Sequence, residues 1–178
     1  MSKLFVDEIV HQSSQGSGTI TLGASGETIT TASGAKFSAI TGQNYPAFHA
    51  KSGGQSISNA TITKVVFETE VLDTDNCYDT STGRFTPNVA GKYLVYVICG
   101  ISTGTDFDGF NMRIYKNGSQ IHLSFGRSEY YESSALSMIV DMNGSTDYLE
   151  AYVYHQQGGT TNLNGDPCNQ FYAYRIGT

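Results

Sequence analysis

From about residue 44 to the C-terminus, short apolar runs alternate with turn residues about every eight to twelve positions, a spacing typical of β-sandwiches. The runs are rich in Tyr, Phe, Val and Ile, which favour strands. No segment keeps the helical period over three turns. The pattern therefore predicts an all-β fold.

Two of the predicted strands lack a fully polar face. In residues 92–99 both alternating sets are apolar, and in residues 148–154 one of the two sets is dominated by tyrosine. A strand with a wet face would alternate apolar and polar residues, and tyrosine stripes are frequent where subunits meet. We therefore predict subunit contacts at five residues of these strands: Tyr96, Ile98, Tyr148, Tyr152 and Tyr154.

Asn-Gly dipeptides mark three further positions, because both residues accept the positive φ angles of tight turns. Asn117-Gly118 and Asn143-Gly144 each separate two β-prone runs, so we predict a hairpin at each. Asn164-Gly165 lies in a polar loop that leads to a last strand at residues 170–176.

The N-terminal part of the chain differs in character from the rest. We predict an attachment arm and linker at residues 1–18, a Gly/Ser/Thr-rich β stem at 19–43 and a globular head at 44–178. Three chains together would bury Ile20 and its apolar neighbours in such a stem, whereas a flexible linker is the alternative. The first residues lack the apolar region of a signal peptide, so we expect synthesis in a cytoplasm.

Composition narrows the function classes. The 178 residues include 15% charged residues and carry a net charge of −6, with the basic residues scattered along the chain. We therefore expect neither nucleic acid nor a membrane as a partner.

Three cysteines without CxxC spacing predict no zinc site; Cys99 is expected to be a buried thiol, and pairing of Cys77 with Cys168 is left open.

A fixed spacing of six residue types runs through the first half of the head. The positions are Phe67, Asp73, Tyr78, Phe85, Gly91 and Tyr93. This spacing resembles the signature of the complement C1q globular heads, which are related to the tumour-necrosis-factor jelly rolls. The resemblance implies a ten-strand jelly-roll sandwich, a tight homotrimer and binding through exposed loops. The motif aromatics are expected in the core, and Gly91 at the turn into a strand.

The first 35 residues resemble another group of proteins. An opening Ser-Lys-Leu-Phe-Val-Asp-Glu-Ile followed by Gly/Thr/Ser repeats is similar to tail-fibre and other virion proteins of phages that infect cyanobacteria and marine bacteria. This resemblance implies a virion location, with residues 1–18 docked on other virion proteins.

Three loops of the head carry residues suited to a ligand. Tyrosine faces beside amide and carboxylate groups suit a sugar, which stacks on the ring and hydrogen-bonds through its hydroxyls. The alternative is that these loops are merely hydrophilic. The candidate residues are Asp106, Asp108, Tyr130, Tyr131, Gln156, Gln157 and Asn162.

The sequence gives little indication of a metal site or of catalytic residues. Asp73, Asp75 and Asp79 cluster, and some C1q-like heads bind calcium, so calcium is an alternative to no cofactor. The four histidines lack metal-ligand spacing and are expected at the surface or at an interface. No Ser/His/Asp grouping forms a nucleophile motif, so we expect no enzyme.

Three functions fit these expectations. The first is a trimeric phage fibre or receptor-binding protein that contacts host surface glycan. The second is a trimeric capsid decoration (cement) or collar protein. The third is a non-viral C1q-like binding module.

Overall fold

A computed structural model describes residues 46–102, 109–126 and 131–177; for Ser102, Tyr131 and Glu132 it describes the backbone alone. The predicted arm (1–18) and stem (19–43) lie outside the described residues. Within those ranges the chain forms strands, turns and loops without a helix, as predicted. Consequently, none of the described residues belongs to a helix that is long and apolar enough to cross a membrane.

The described residues form thirteen strands, of which five have only two residues, whereas the C1q resemblance implies ten. The strands are β1 (Ala47–Lys51), β2 (Ser56–Ile57), β3 (Thr63–Lys64), β4 (Thr69–Asp73), β5 (Tyr78–Asp79), β6 (Arg84–Phe85), β7 (Ala90–Ser102), β8 (Phe110–Lys116), β9 (Ser119–Gly126), β10 (Tyr131–Asn143), β11 (Leu149–Tyr154), β12 (Thr161–Asn162) and β13 (Gln170–Gly177).

Two sheets form the sandwich. The first sheet has the order β10-β7-β13-β1-β4, and the second has the order β5-β6-β11-β8-β9 with β3 beside β11. Aromatic rings from the two sheets meet in the core: Phe48 of the first sheet stacks on Tyr78 and Phe85 of the second, with ring centroids 4.7 and 4.5 Å apart. Strands β2 and β12 form a separate small pair.

The four aromatic residues of the motif are all buried. Phe67, Phe85 and Tyr93 have no solvent exposure, and Tyr78 is 5% exposed. The hydroxyl groups of the two tyrosines are hydrogen-bonded. The Tyr78 oxygen accepts from the Phe67 amide, and the Tyr93 hydroxyl donates to the Val89 carbonyl. The expected core positions of the motif aromatics agree with this arrangement.

The remaining two motif residues shape the backbone. The Asp73 carboxylate at the end of β4 accepts hydrogen bonds from the backbone amides of Asp75 and Tyr78 and so orders the following turn. Gly91 has a φ of 149° at the start of β7, where a Cβ would clash with the carbonyl oxygen of Gly177. Close approach of β13, in addition to the turn, therefore requires glycine here.

One of the two predicted hairpins forms and the other does not. Asn117 and Gly118 have φ angles of 53° and 78° and join β8 to β9, which pair in the second sheet. Asn143-Gly144 instead links β10 in the first sheet to β11 in the second, so the hairpin prediction there is wrong. The Asn143 Oδ1 atom accepts hydrogen bonds from the backbone amides of residues 145–147. These bonds turn the chain away from β10 toward the other sheet.

Two predictions about polar side chains receive a clear answer. His155 is completely buried, with Nε2 3.1 Å from the Ile57 carbonyl, so its predicted surface or interface position is wrong. Cys99 is buried as expected. Cys77 and Cys168 are free thiols, the former buried and the latter exposed.

Candidate functional site

The first sheet presents an apolar surface to the outside of the sandwich. Alternation along β7, β10 and β13 turns one set of side chains into the core and the other set outward. We call the large apolar and aromatic members of the outward set the apolar face; they are Leu94, Tyr96, Ile98, Ile139, Tyr172 and Tyr174.

Aromatic contacts order the centre of the apolar face. Tyr96 and Tyr172 lie opposite each other on β7 and β13, and their rings stack with centroids 4.8 Å apart and an interplanar angle of 21°. The His49 ring of β1 meets Tyr172 edge-on at 5.4 Å, and its Nε2 lies 3.0 Å from Gln170 Oε1. These rings form a rigid surface with few polar atoms.

Large apolar side chains remain exposed on this sheet. The exposed fractions are 58% for Ile139, 50% for Leu72 and 41% for Tyr174. A groove of about 500 Å³ is lined by Leu72 and Tyr174 together with His49 and Tyr172. Apolar area of this extent on one side of a small domain is typical of a surface that another protein covers.

Charged residues lie at the two ends of the apolar face. Lys92 of β7 lies 3.5 Å from Asp141 of β10 at one end, and Lys51 pairs with Asp166 over 2.5 Å at the other. An apolar centre with a charged rim is the usual anatomy of a protein interface.

The second sheet presents a different surface, on the opposite side of the sandwich. Here tyrosines and charged residues from β3, β6, β8 and β11 point outward together. We call this set the tyrosine platform; it consists of Tyr115, Tyr148, Tyr152, Tyr154, Lys64, Arg84, Arg113 and Glu150.

Glu150 is the anchor of the tyrosine platform. Its side chain is 3% exposed; Oε1 accepts hydrogen bonds from Arg84 Nε at 2.9 Å and Lys64 Nζ at 3.2 Å, while Oε2 accepts the Tyr152 hydroxyl at 3.1 Å. Burial alone would raise the pKa of Glu150, but these hydrogen bonds together hold its pKa below the ordinary value. Burial and the neighbouring Glu150 charge raise the pKa of Tyr152 to about 12.

Rings and cations pack against each other across the platform. The Arg84 guanidinium carbon lies 4.1 Å above the Tyr148 ring, within cation–π distance. Tyr115 and Tyr152 lie with centroids 4.4 Å apart. The platform is therefore a connected, preordered surface.

The five residues predicted at subunit contacts do not share one surface. Tyr96 and Ile98 lie on the apolar face, whereas Tyr148, Tyr152 and Tyr154 lie on the tyrosine platform of the other sheet. Both surfaces also contain residues that were not predicted from the sequence. Strand alternation around the Asn117-Gly118 hairpin was a usable signal for Arg113 and Tyr115, whereas the sequence held no signal for the position of Tyr172 beside Tyr96.

The predicted ligand loops are only partly described. Asp106, Asp108 and Tyr130 lie outside the described residues, and Tyr131 begins β10, where its backbone pairs with Ser102.

Three more of the predicted ligand residues lie near one another in sequence. Gln156 and Asn162 are exposed and Gln157 is half-buried. Asn162 belongs to β12, and its backbone pairs with Ser56 of β2.

The clustered aspartates are engaged in turns. Exposed Asp79 accepts hydrogen bonds from Ser81 and Thr82, and these lower its pKa to about 2. Among the described residues no group of three or more His, Cys, Asp or Glu side chains is arranged to hold a metal ion. Calcium remains a prediction that the structure leaves untested.

The sandwich, its strand order and its motif core define the class, a jelly roll of the C1q and tumour-necrosis-factor type. The globular domain of zebrafish complement 1qA is similar with a TM-score of 0.57 and 12% identity, covering 74% of this chain and 97% of that one. Murine APRIL gives a TM-score of 0.54 and 12% identity over 75% and 99% of the two chains. The PRD1 vertex protein P5 gives 0.56 and 13% over 75% and 97%. These likenesses show the fold.

The sequence profile of the C1q domain matches residues 47–159, and the chain belongs to the C1q domain family. The Uncharacterized protein YqcC of Bacillus subtilis (strain 168) is 27% identical over 119 residues, which are 62% of this chain and 32% of that protein. The chain thus spans about a third of the length of this relative.

Proposed function

We propose that this chain is a homotrimeric phage virion protein of the fibre or receptor-binding type, whose head contacts host surface glycan. The observation that carries the proposal is the apolar face: an exposed, stacked aromatic and aliphatic surface with ion pairs at its ends. Burying it around a three-fold axis removes that area from water. C1q-type domains are generally binding modules without enzymatic activity, which agrees with a recognition role.

Two observations support a virion location. Residues 1–35 resemble phage tail-fibre proteins, and a phage vertex protein is among the similar folds. In this proposal residues 1–18 dock on other virion proteins, and three heads on one axis raise avidity for a weakly held glycan. Gln156, Gln157 and Asn162, together with Asp106, Asp108, Tyr130 and Tyr131, are the predicted glycan contacts.

Capsid decoration is the second candidate, because the same trimer on the same arm suits a cement or collar protein. Imaging of intact particles at moderate resolution distinguishes the roles by copy number and position. A few trimers at the tail support receptor binding, whereas hundreds of copies at capsid three-fold positions support decoration. Absence from particles would overturn both and favour a free C1q-like module.

Ile98→Glu tests the apolar face itself. Ile98 lies at the centre of β7, so a carboxylate there would be buried without a partner in the trimer. We expect the variant to have the mass of one chain while remaining folded, and Ile121→Glu, an exposed position on β9 of the other sheet, to keep the wild-type mass. An Ile98→Glu protein with the wild-type oligomeric state would contradict the proposed interface.

A further inference from the structure

Arg113 forms no ion pair within the part of the chain that the structure describes. Its Nε donates a hydrogen bond to Oδ1 of Asn111 over 2.9 Å, and Asn111 is only 5% exposed, so the guanidinium is positioned by a buried partner. Tyr152 and Leu123 flank it on the neighbouring strands, and the Tyr154 ring centroid lies 5.6 Å from its Cζ. The two Nη groups are the donors that this arrangement leaves for a ligand.

The platform as a whole carries excess positive charge. Lys64, Arg84 and Arg113 stand against the single carboxylate of Glu150, although the whole chain has a net charge of −6. Two further carboxylates near this sheet are already engaged: Asp79 on the edge strand β5 accepts hydrogen bonds from its own turn, and Asp147, which precedes Tyr148, pairs with Lys116 over 2.8 Å. The immediate surroundings of Arg113 therefore favour an anion.

We propose that the tyrosine platform binds a saccharide that carries a carboxylate, such as a uronic or sialic acid residue. The carboxylate takes the two Nη groups of Arg113 in a bidentate pair, which is the geometry that a guanidinium prefers. The apolar face of the sugar ring lies on the tyrosine rings beside it, and tyrosine hydroxyls meet its hydroxyl groups. The proposal rests on the glycan-binding role proposed for the head, but it moves the site from the loops to the sheet.

Two features favour a saccharide over a second copy of the chain. Charged residues are depleted at the centres of protein interfaces, and the platform has four of them at its centre, whereas the apolar face has none. The bonds from Lys64, Arg84 and Tyr152 to Glu150 also fix the rings before a ligand arrives, which lowers the entropic cost of binding.

The test uses the purified full chain on an array of oligosaccharides that end in uronic or sialic acids, with their neutral counterparts. We expect binding to acidic members alone, weakening as sodium chloride rises from about 50 to about 500 mM because salt screens the attraction between Arg113 and the carboxylate. Arg113→Gln should then weaken binding of the best acidic oligosaccharide at least tenfold, measured by calorimetry. Arg113→Lys keeps the positive charge but lacks the paired Nη donors, so it should bind more tightly than Arg113→Gln and less tightly than the wild type.

Four other outcomes would each overturn part or all of the proposal. If Arg113→Gln binds like the wild type and Gln157→Ala does not, the loops hold the glycan; the platform site is overturned and the glycan-binding role stands. If only neutral oligosaccharides bind, the acidic specificity is overturned. If none binds, the proposed glycan role fails together with the inference. If Arg113→Gln is folded but loses the wild-type mass, the platform is a subunit contact and the inference is wrong.

Discussion

Glu150 is a buried carboxylate to which three side chains donate hydrogen bonds, and we predict that Glu150→Gln destabilises the fold. Glutamine keeps the shape and one carbonyl acceptor but removes the charge. The bonds from Lys64 and Arg84 then become bonds to a neutral oxygen, and the Tyr152 hydroxyl must turn to accept instead of donate.

The magnitude follows from these partners. A hydrogen bond to a charged group contributes about 1.5–3 kcal/mol, against about 1 kcal/mol for a neutral one. The side chains of Lys64 and Arg84 are 32% and 43% exposed. Water can therefore replace part of the hydrogen bonding to the Glu150 carboxylate that the variant removes. We therefore expect Glu150→Gln to lower the free energy of unfolding by about 1–2 kcal/mol at pH 7.

Urea unfolding at a fixed protein concentration and several pH values measures this difference. The pKa of Glu150 in the folded state lies below its ordinary value of 4.5, so its stabilisation is present above pH 4.5 and is lost as the pH falls through the folded pKa. The gap between wild type and variant should therefore shrink in that range. Glu70→Gln, at an exposed position on β4, should leave stability nearly unchanged. A Glu150→Gln gap that is absent at pH 7, or that is equally large at pH 3, would refute this account.

Three further predictions concern the core and the backbone. Phe171→Ala should lower the free energy of unfolding by about 3–5 kcal/mol, because the ring is fully buried, whereas Phe125→Ala, at 73% exposure, should change it by less than about 0.5 kcal/mol in the same urea assay. Gly91→Ala should lower the thermal midpoint by several degrees in scanning calorimetry, since its Cβ would meet the Gly177 carbonyl; an unchanged midpoint would contradict the close approach. In the native protein at pH 8 only Cys168 should react with a thiol reagent, since the other two cysteines are buried and burial raises their pKa; unfolding should release all three.

Local sequence patterns predicted which side of a strand faces the core. The motif predicted Tyr93 in the core and alternation along residues 92–99 puts Tyr96 on the opposite side of the strand, and the structure has Tyr93 buried and Tyr96 on the outward face. The same alternation carries no information about which sheet a strand joins, because pairing depends on residues far away along the chain. Tyr96 and Tyr152 are both outward residues, yet β7 pairs with β10 and β13 while β11 pairs with β8.

The two Asn-Gly turns show the same limit. Each dipeptide favours a turn by its own backbone preferences. Asn117 and Gly118 both take positive φ angles, whereas Asn143 ends β10 and only Gly144 of the second dipeptide has a positive φ. Whether the flanking strands pair is decided by distant partners: β10 pairs with β7 along its whole length, so β11 is free to enter the other sheet. The tyrosine platform was hidden for this reason, since Arg113 meets Tyr152 only through the β8–β11 register.

Light scattering after size exclusion, on the full chain at micromolar concentration, measures whether three chains associate through the apolar face. We expect a single species of three times the 19.2 kDa of one chain, because the apolar face is covered in a trimer. A stable species of 19.2 kDa would mean that the apolar face stays exposed in solution and that the chain is not a trimer.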